Sequence, residues 1–102
     1  MALRAVFSER IRVYNTPGGV ALGSYAKDSR VIRALVVVES NPIRIQTNSG
    51  ITVTPEGTEG SALKNAGAEF YVTGQPDLSN FRAISALPLY PGYIQVTYEG
   101  TA

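Results

Sequence analysis

Cysteine, histidine and tryptophan are absent from this 102-residue chain, and lysine occurs only at Lys27 and Lys64. Without cysteine there are no disulfides, thiolate metal ligands or thiol nucleophile. Without histidine there is no Ser-His-Asp triad, no imidazole ligand for zinc or iron, and no cupin-type metal centre. A metal would have to be held by oxygen alone. The acidic residues Glu9, Asp28, Glu39, Glu56, Glu59, Glu69, Asp77 and Glu99 do not form the Asp-x-Asp-x-Asp-Gly pattern of a calcium loop, and only Glu56 and Glu59 lie close together. Both lysines sit in turn-like stretches with nothing to depress their pKa, which removes Ser–Lys catalysis. Glu39 and Glu99, each near a strand end, are the carboxylates to inspect for glycoside hydrolysis, although so short a chain leaves little room for a sugar cleft. The expectation is a non-enzyme with no cofactor and no metal.

Long apolar runs and a dominant charge are also missing. The longest apolar stretch, Ala34 to Val38, is strand-sized rather than membrane-sized. The opening Met1-Ala2-Leu3-Arg4-Ala5-Val6-Phe7 lacks the apolar core and cleavage site of a signal peptide, so synthesis in a cytoplasm is expected. Nine basic and eight acidic residues give a net charge of +1, which provides no long-range field toward nucleic acid or an anionic membrane. Arg10, Arg12 and Tyr14 share one strand face, with Arg30 and Arg44 candidates to lie near them, but a neutral chain makes a poor OB-type nucleic-acid binder. Gly18-Gly19 lacks the strand–loop–helix context of a phosphate loop.

What is present is period-two alternation. Arg10 to Tyr14, Ile43 to Thr47, Ile51 to Thr54, Phe70 to Thr73 and Ile94 to Glu99 each put apolar residues on one face and polar ones on the other. Arg30 to Glu39 begins the same way and becomes continuously apolar, as a central strand covered on both faces would. Turn residues separate these runs, as in Asn15-Thr16-Pro17-Gly18-Gly19, Ser40-Asn41-Pro42 and Gly74-Gln75-Pro76-Asp77. The pattern predicts an all-β chain, a single-domain β-sandwich or jelly roll of about eight short antiparallel strands spanning 1–102. Residues 1–25 are expected to form an N-terminal hairpin or an arm, and the Gly-rich 54–69 a projecting loop or a loose hairpin. Asp77 to Phe81 is expected to make one helical turn capped by Asp77.

Two features point to contact with another protein. Charged residues make up 17% of the chain, below the usual quarter, which suits a surface partly covered by neighbours. Seven of nine basic residues are arginine, whose planar fork suits interfaces as well as ordinary strand surfaces. The turn Ser85-Ala86-Leu87-Pro88-Leu89-Tyr90-Pro91-Gly92-Tyr93 is unusually apolar. Either Leu87 and Leu89 fold inward to plug the sandwich, or a proline-stiffened loop presents Leu89 and Tyr90 to a partner. Candidate partner-binding residues are Leu89, Tyr90, Tyr93, Arg10, Arg12 and Arg44.

From Val31 onward, the segments Val36 to Thr47 ("VVVESNPIRIQT"), Asn65 to Val72 ("NAGAEFYV"), Leu78 to Ile84 ("LSNFRAI") and Ile94 to Gly100 ("IQVTYEG") resemble the layout of small β-sandwich structural proteins of tailed bacteriophages. The resemblance is one of pattern, covers about two-thirds of the chain and carries no catalytic residue with it. It implies a capsid decoration or cement protein of the virion, a homo-oligomer (trimer or dimer) that binds the major capsid protein or another virion protein and bridges its subunits. The alternative is a tail, fibre or baseplate module that binds carbohydrate, with Tyr90 and Tyr93 as the stacking platform.

Overall fold

The computed structural model describes residues 3–48, 50, 52–57, 60–87 and 89–101. Its elements are β1 (Arg4–Val13), a 3-10 turn η1 (Ser24–Lys27), β2 (Val31–Ser40), β3 (Ile43–Gln46), β4 (Ala62–Lys64), β5 (Glu69–Thr73), α1 (Gln75–Asn80), β6 (Arg82–Ser85) and β7 (Gly92–Gly100). The strands form two antiparallel sheets, one ordered β1-β7-β2-β5 and the other β4-β3-β6. The fold is an all-β sandwich.

Alternation in the strands dictates the core. On β7, Ile94, Val96 and Tyr98 point inward; across the sheet Val38, Val36 and Ala34 oppose them in register on β2. With Val13, Val72, Ile43, Phe81 and Ala83 they form one buried cluster between the sheets. Leu78 of α1 and Ala26 of η1 belong to the same cluster, so these short helical pieces close the sandwich. The continuously apolar half of β2 is asymmetric: Val36 and Val38 are buried, while Leu35 and Val37 on the opposite face are half-buried.

Several expectations are corrected. The N-terminal segment is neither a hairpin nor an arm. β1 pairs along its length with β7, from Arg4 opposite Gly100 to Val13 opposite Gly92, and the second strand candidate reduces to a bridge between Val20 and Ala83. The 54–69 stretch does not simply project: it contains β4, Val53 just before it and Ser61 within it are buried, and Arg44 anchors it. Residues 52–54 of the expected Ile51 to Thr54 strand are not in a strand, and Ile51 lies outside the described residues. The helix begins at Gln75, with Gly74 in the capping position and Asp77 inside its first turn. Gly74 has φ of 89°, a left-handed conformation that glycine adopts without the Cβ penalty.

Two chain crossings between the sheets lie at one end of the molecule. Asn41, at φ 60°, turns β2 into β3, a conformation asparagine tolerates. The 86–91 loop carries β6 into β7. The two connections are tied together by the Ala86 N–H donating to the Pro42 carbonyl (3.0 Å) and the Asn41 side-chain amide donating to the Pro91 carbonyl (3.0 Å).

Candidate interaction surface

The 86–91 loop is held from beneath. Ser85 is fully buried, and its hydroxyl bonds the carbonyls of Leu87 and Tyr90 while lying 3.2 Å from the Leu87 N–H. A turn closes from the Tyr90 N–H to the Leu87 carbonyl (3.1 Å), and the Asn15 amide donates to the Ser85 carbonyl (2.8 Å). The described loop backbone at Ala86, Leu87 and Tyr90 is thus hydrogen-bonded while the side chains are not covered: Leu87 is 37% exposed, Leu89 86% and Tyr90 61%. The inward-plug reading of Leu87 and Leu89 is therefore wrong. Ile43 fills that end instead, against Gly92, where an added Cβ would lie 2.7 Å from the Ile43 methyl.

The outer face of the four-stranded sheet adjoins this loop through Tyr93, three residues after Tyr90. Tyr93 and Arg12 are directly opposed across β7 and β1, so their side chains share a face. The Arg10 guanidinium lies 4.0 Å from the Tyr93 ring centroid, and Arg12 lies 4.8 Å from that of Tyr14 and 5.9 Å from that of Tyr93. Tyr14 is 48% exposed, and its carbonyl accepts from the Ser85 N–H, which joins this cluster to the base of the loop. Further along the same face Arg10 pairs with Glu39 (3.1 Å), Arg33 pairs with Glu99 (2.6 Å), and Arg33 stacks over Tyr71 at 4.2 Å.

Five of the six candidate residues therefore gather at one end and one face: Leu89, Tyr90, Tyr93, Arg10 and Arg12. Arg44 does not. It lies on the other sheet, where its guanidinium donates to the carbonyls of Pro55 (3.0 Å) and Ser61 (3.1 Å) and holds the 54–69 segment down. Arg30 is likewise remote from the group, bonded to Asp28 and stacked 5.0 Å over Phe7. Sequence reading missed Ser85 and Asn41 as supports of the loop, because the signal of each was only a strand end or a turn residue.

Glu39 and Glu99 do not make a catalytic pair. Each is bound to a different arginine, and six residue steps along β2 lead from Arg33, opposite Glu99, to Glu39, a span of about 20 Å. Glu59 lies outside the described residues, and among the described residues no three carboxylates gather as a metal site. Among the described residues an inward carboxylate is that of Glu9, which accepts a hydrogen bond from the buried Tyr98 hydroxyl. Burial, then the bond and charge of Glu9, hold the Tyr98 hydroxyl well above the ordinary tyrosine range. Gly23 makes room for this pair, since a Cβ there would sit 2.5 Å from both Glu9 oxygens. The surface brings together an exposed tip at Leu89 and Tyr90 and the arginine–tyrosine stacks beside it. No protein family, curated protein or solved structure matches the chain.

Proposed function

We propose that this chain is a non-enzymatic structural protein of a tailed-bacteriophage virion, a decoration protein that binds the capsid shell through the 86–91 loop and stabilises it by bridging shell subunits. The observation that carries the reading is the exposure of Leu89 and Tyr90 on a backbone pinned by Ser85, Asn41 and Asn15. A loop already ordered in the free protein loses little entropy on docking, and tyrosine, arginine and large apolar side chains are what interface centres use. The virion setting rests on the resemblance in strand layout. Attachment of several linked copies makes each later contact intramolecular, so modest affinity at one site suffices.

The carbohydrate reading is less well supported, because Arg10 already lies over one face of Tyr93, which leaves Tyr90 as the more open half of the stacking platform. Pelleting the purified protein with empty capsids of the phage that encodes it tests the proposal. Co-pelleting that saturates at a fixed ratio to shell subunits is the expected result. Protein that stays in the supernatant while binding an immobilised glycan would replace this reading with the second one.

A further inference from the structure

We propose that copies of this chain associate edge to edge, β1 of one copy adding antiparallel to β5 of the next, with Arg12 opposite Glu69, Arg10 opposite Tyr71 and Ser8 opposite Thr73. This gives the linked copies invoked above an interface. It rests on the two sheet edges alone, so it stands or falls separately from attachment through Leu89 and Tyr90.

The backbone sets the parity of the pairing. The Val38 N–H donates to the Ala68 carbonyl and the Gly74 N–H to the Ile32 carbonyl, which extends the β2–β5 register by one residue at each end. Hydrogen-bonded and non-bonded pairs alternate in an antiparallel ladder, so Phe70 and Val72 direct their backbone groups at β2, while Glu69, Tyr71 and Thr73 direct theirs at the open edge. The same alternation carried through the β2–β7 and β7–β1 registers leaves Ser8, Arg10 and Arg12 with outward backbone groups. These two sets are also the residues whose side chains lie on the outer face. A β1–β5 pairing that satisfies the backbone therefore also brings outer-face side chains together.

Strand direction agrees. The order β1-β7-β2-β5 is antiparallel at every step, so β1 and β5 run oppositely, and a second copy in the same orientation presents β5 antiparallel to β1. Length agrees as well: β5 spans Glu69–Thr73, and the regular part of the β1 edge from Ser8 to Arg12 lies beyond the irregularity between Ala5 and Phe7.

Charge complementarity selects this pairing over its rivals. Among the described residues neither Arg12 nor Glu69 has an ion-pair partner, and both are exposed. Tyr71 is 50% exposed, so it retains surface for Arg10 of the neighbour. On the inner side the register sets Phe70 opposite Ile11, both half-buried in the single copy. A symmetric β1–β1 pairing centred on Arg10 would oppose that arginine to itself, which is destabilising. A symmetric β5–β5 pairing would oppose Tyr71 to itself and leave Arg12 and Glu69 unpaired. The β1–β5 contact is head-to-tail, so repetition gives a ring or an open row of copies.

Sedimentation equilibrium of the purified full chain, wild type and variants, tests the pairing. Wild type is expected to sediment above the monomer mass, with association falling on dilution. Arg12→Glu and Glu69→Arg are each expected to weaken association about tenfold, because an opposite pair becomes a like pair, and R12E/E69R to restore it to within about threefold. Tyr71→Pro removes an outward N–H that no strand of the single copy uses, and is expected to leave a folded monomer. A wild type that is monomeric throughout would overturn the proposal. So would single charge reversals without effect alongside a monomeric Tyr71→Pro, which would assign the contact to β5–β5 or to a foreign strand. If Tyr71→Pro does not fold, the rescue of R12E by E69R decides alone.

Discussion

Ser85 has a short side chain, yet it determines whether the loop above it is preformed. Its hydroxyl serves the carbonyls of Leu87 and Tyr90 from a fully buried position, and alanine would leave those groups to find water. Ser85→Ala is expected to lose about 1–2 kcal/mol, a fall of several degrees in the thermal midpoint of a domain this size, and to weaken shell binding further because the loop must then be ordered on docking. Circular-dichroism melts and pelleting would read the two effects. Tyr98 gives a pH-dependent prediction. Its folded-state pKa is raised above the ordinary 10.0, so its contribution is fully present below pH 10. Above that pH the unfolded tyrosine ionises while the folded one keeps its proton. Stability is therefore expected to fall as pH rises past about 10, at up to about 1.4 kcal/mol per pH unit. Urea titrations across that range should show the fall in wild type and a shallower one in Tyr98→Phe.

At the scale of elements, β7 is the strand on which the sheet depends, lying between β1 and β2. Gly100 ends it where no side chain fits: a Cβ would lie 1.8 Å from the Arg30 carbonyl oxygen. Gly100→Ala must push β7 away from the start of β2, and is expected to cost about 3 kcal/mol, readable in the urea midpoint. β1, β5 and β7 were legible in the sequence because inward positions alternate with more exposed ones, which is what period two records; β3 showed the same alternation in Ile43 and Ile45 against Arg44 and Gln46, and β2 was legible from its apolar run. β4 was not, because Ala62 and Leu63 are both exposed and the strand has no buried face to announce it. Val53 misled in the opposite direction: it is buried and alternates with threonines, but it packs from a loop beside Gly19, where an added Cβ would meet its methyl at 2.5 Å. The contact residues were legible in part. Apolar residues in a proline-rich turn are visible in a sequence, whereas Arg44 was grouped with them by residue type and belongs by position to the support of another loop.

At the scale of the molecule, the sandwich is a holder with a contact loop at one end, an arginine–tyrosine face beside it and the β1 and β5 edges of its four-stranded sheet. Shell attachment and copy-to-copy pairing use different parts of it. Three strand spacings, about 14 Å, separate β5 from β1, so Glu69→Arg should loosen the assembly of copies without changing the loop that meets the shell. Pelleting with capsids at high protein concentration should then retain single-site binding by that variant while the avidity of the wild type is lost. The account stands most directly on the 86–91 loop. The decisive measurement is capsid pelleting of L89S/Y90A beside wild type, with thermal melts of both. Equal midpoints within a few degrees, wild type in the pellet and the variant in the supernatant are predicted; a variant that pellets as wild type does would contradict it.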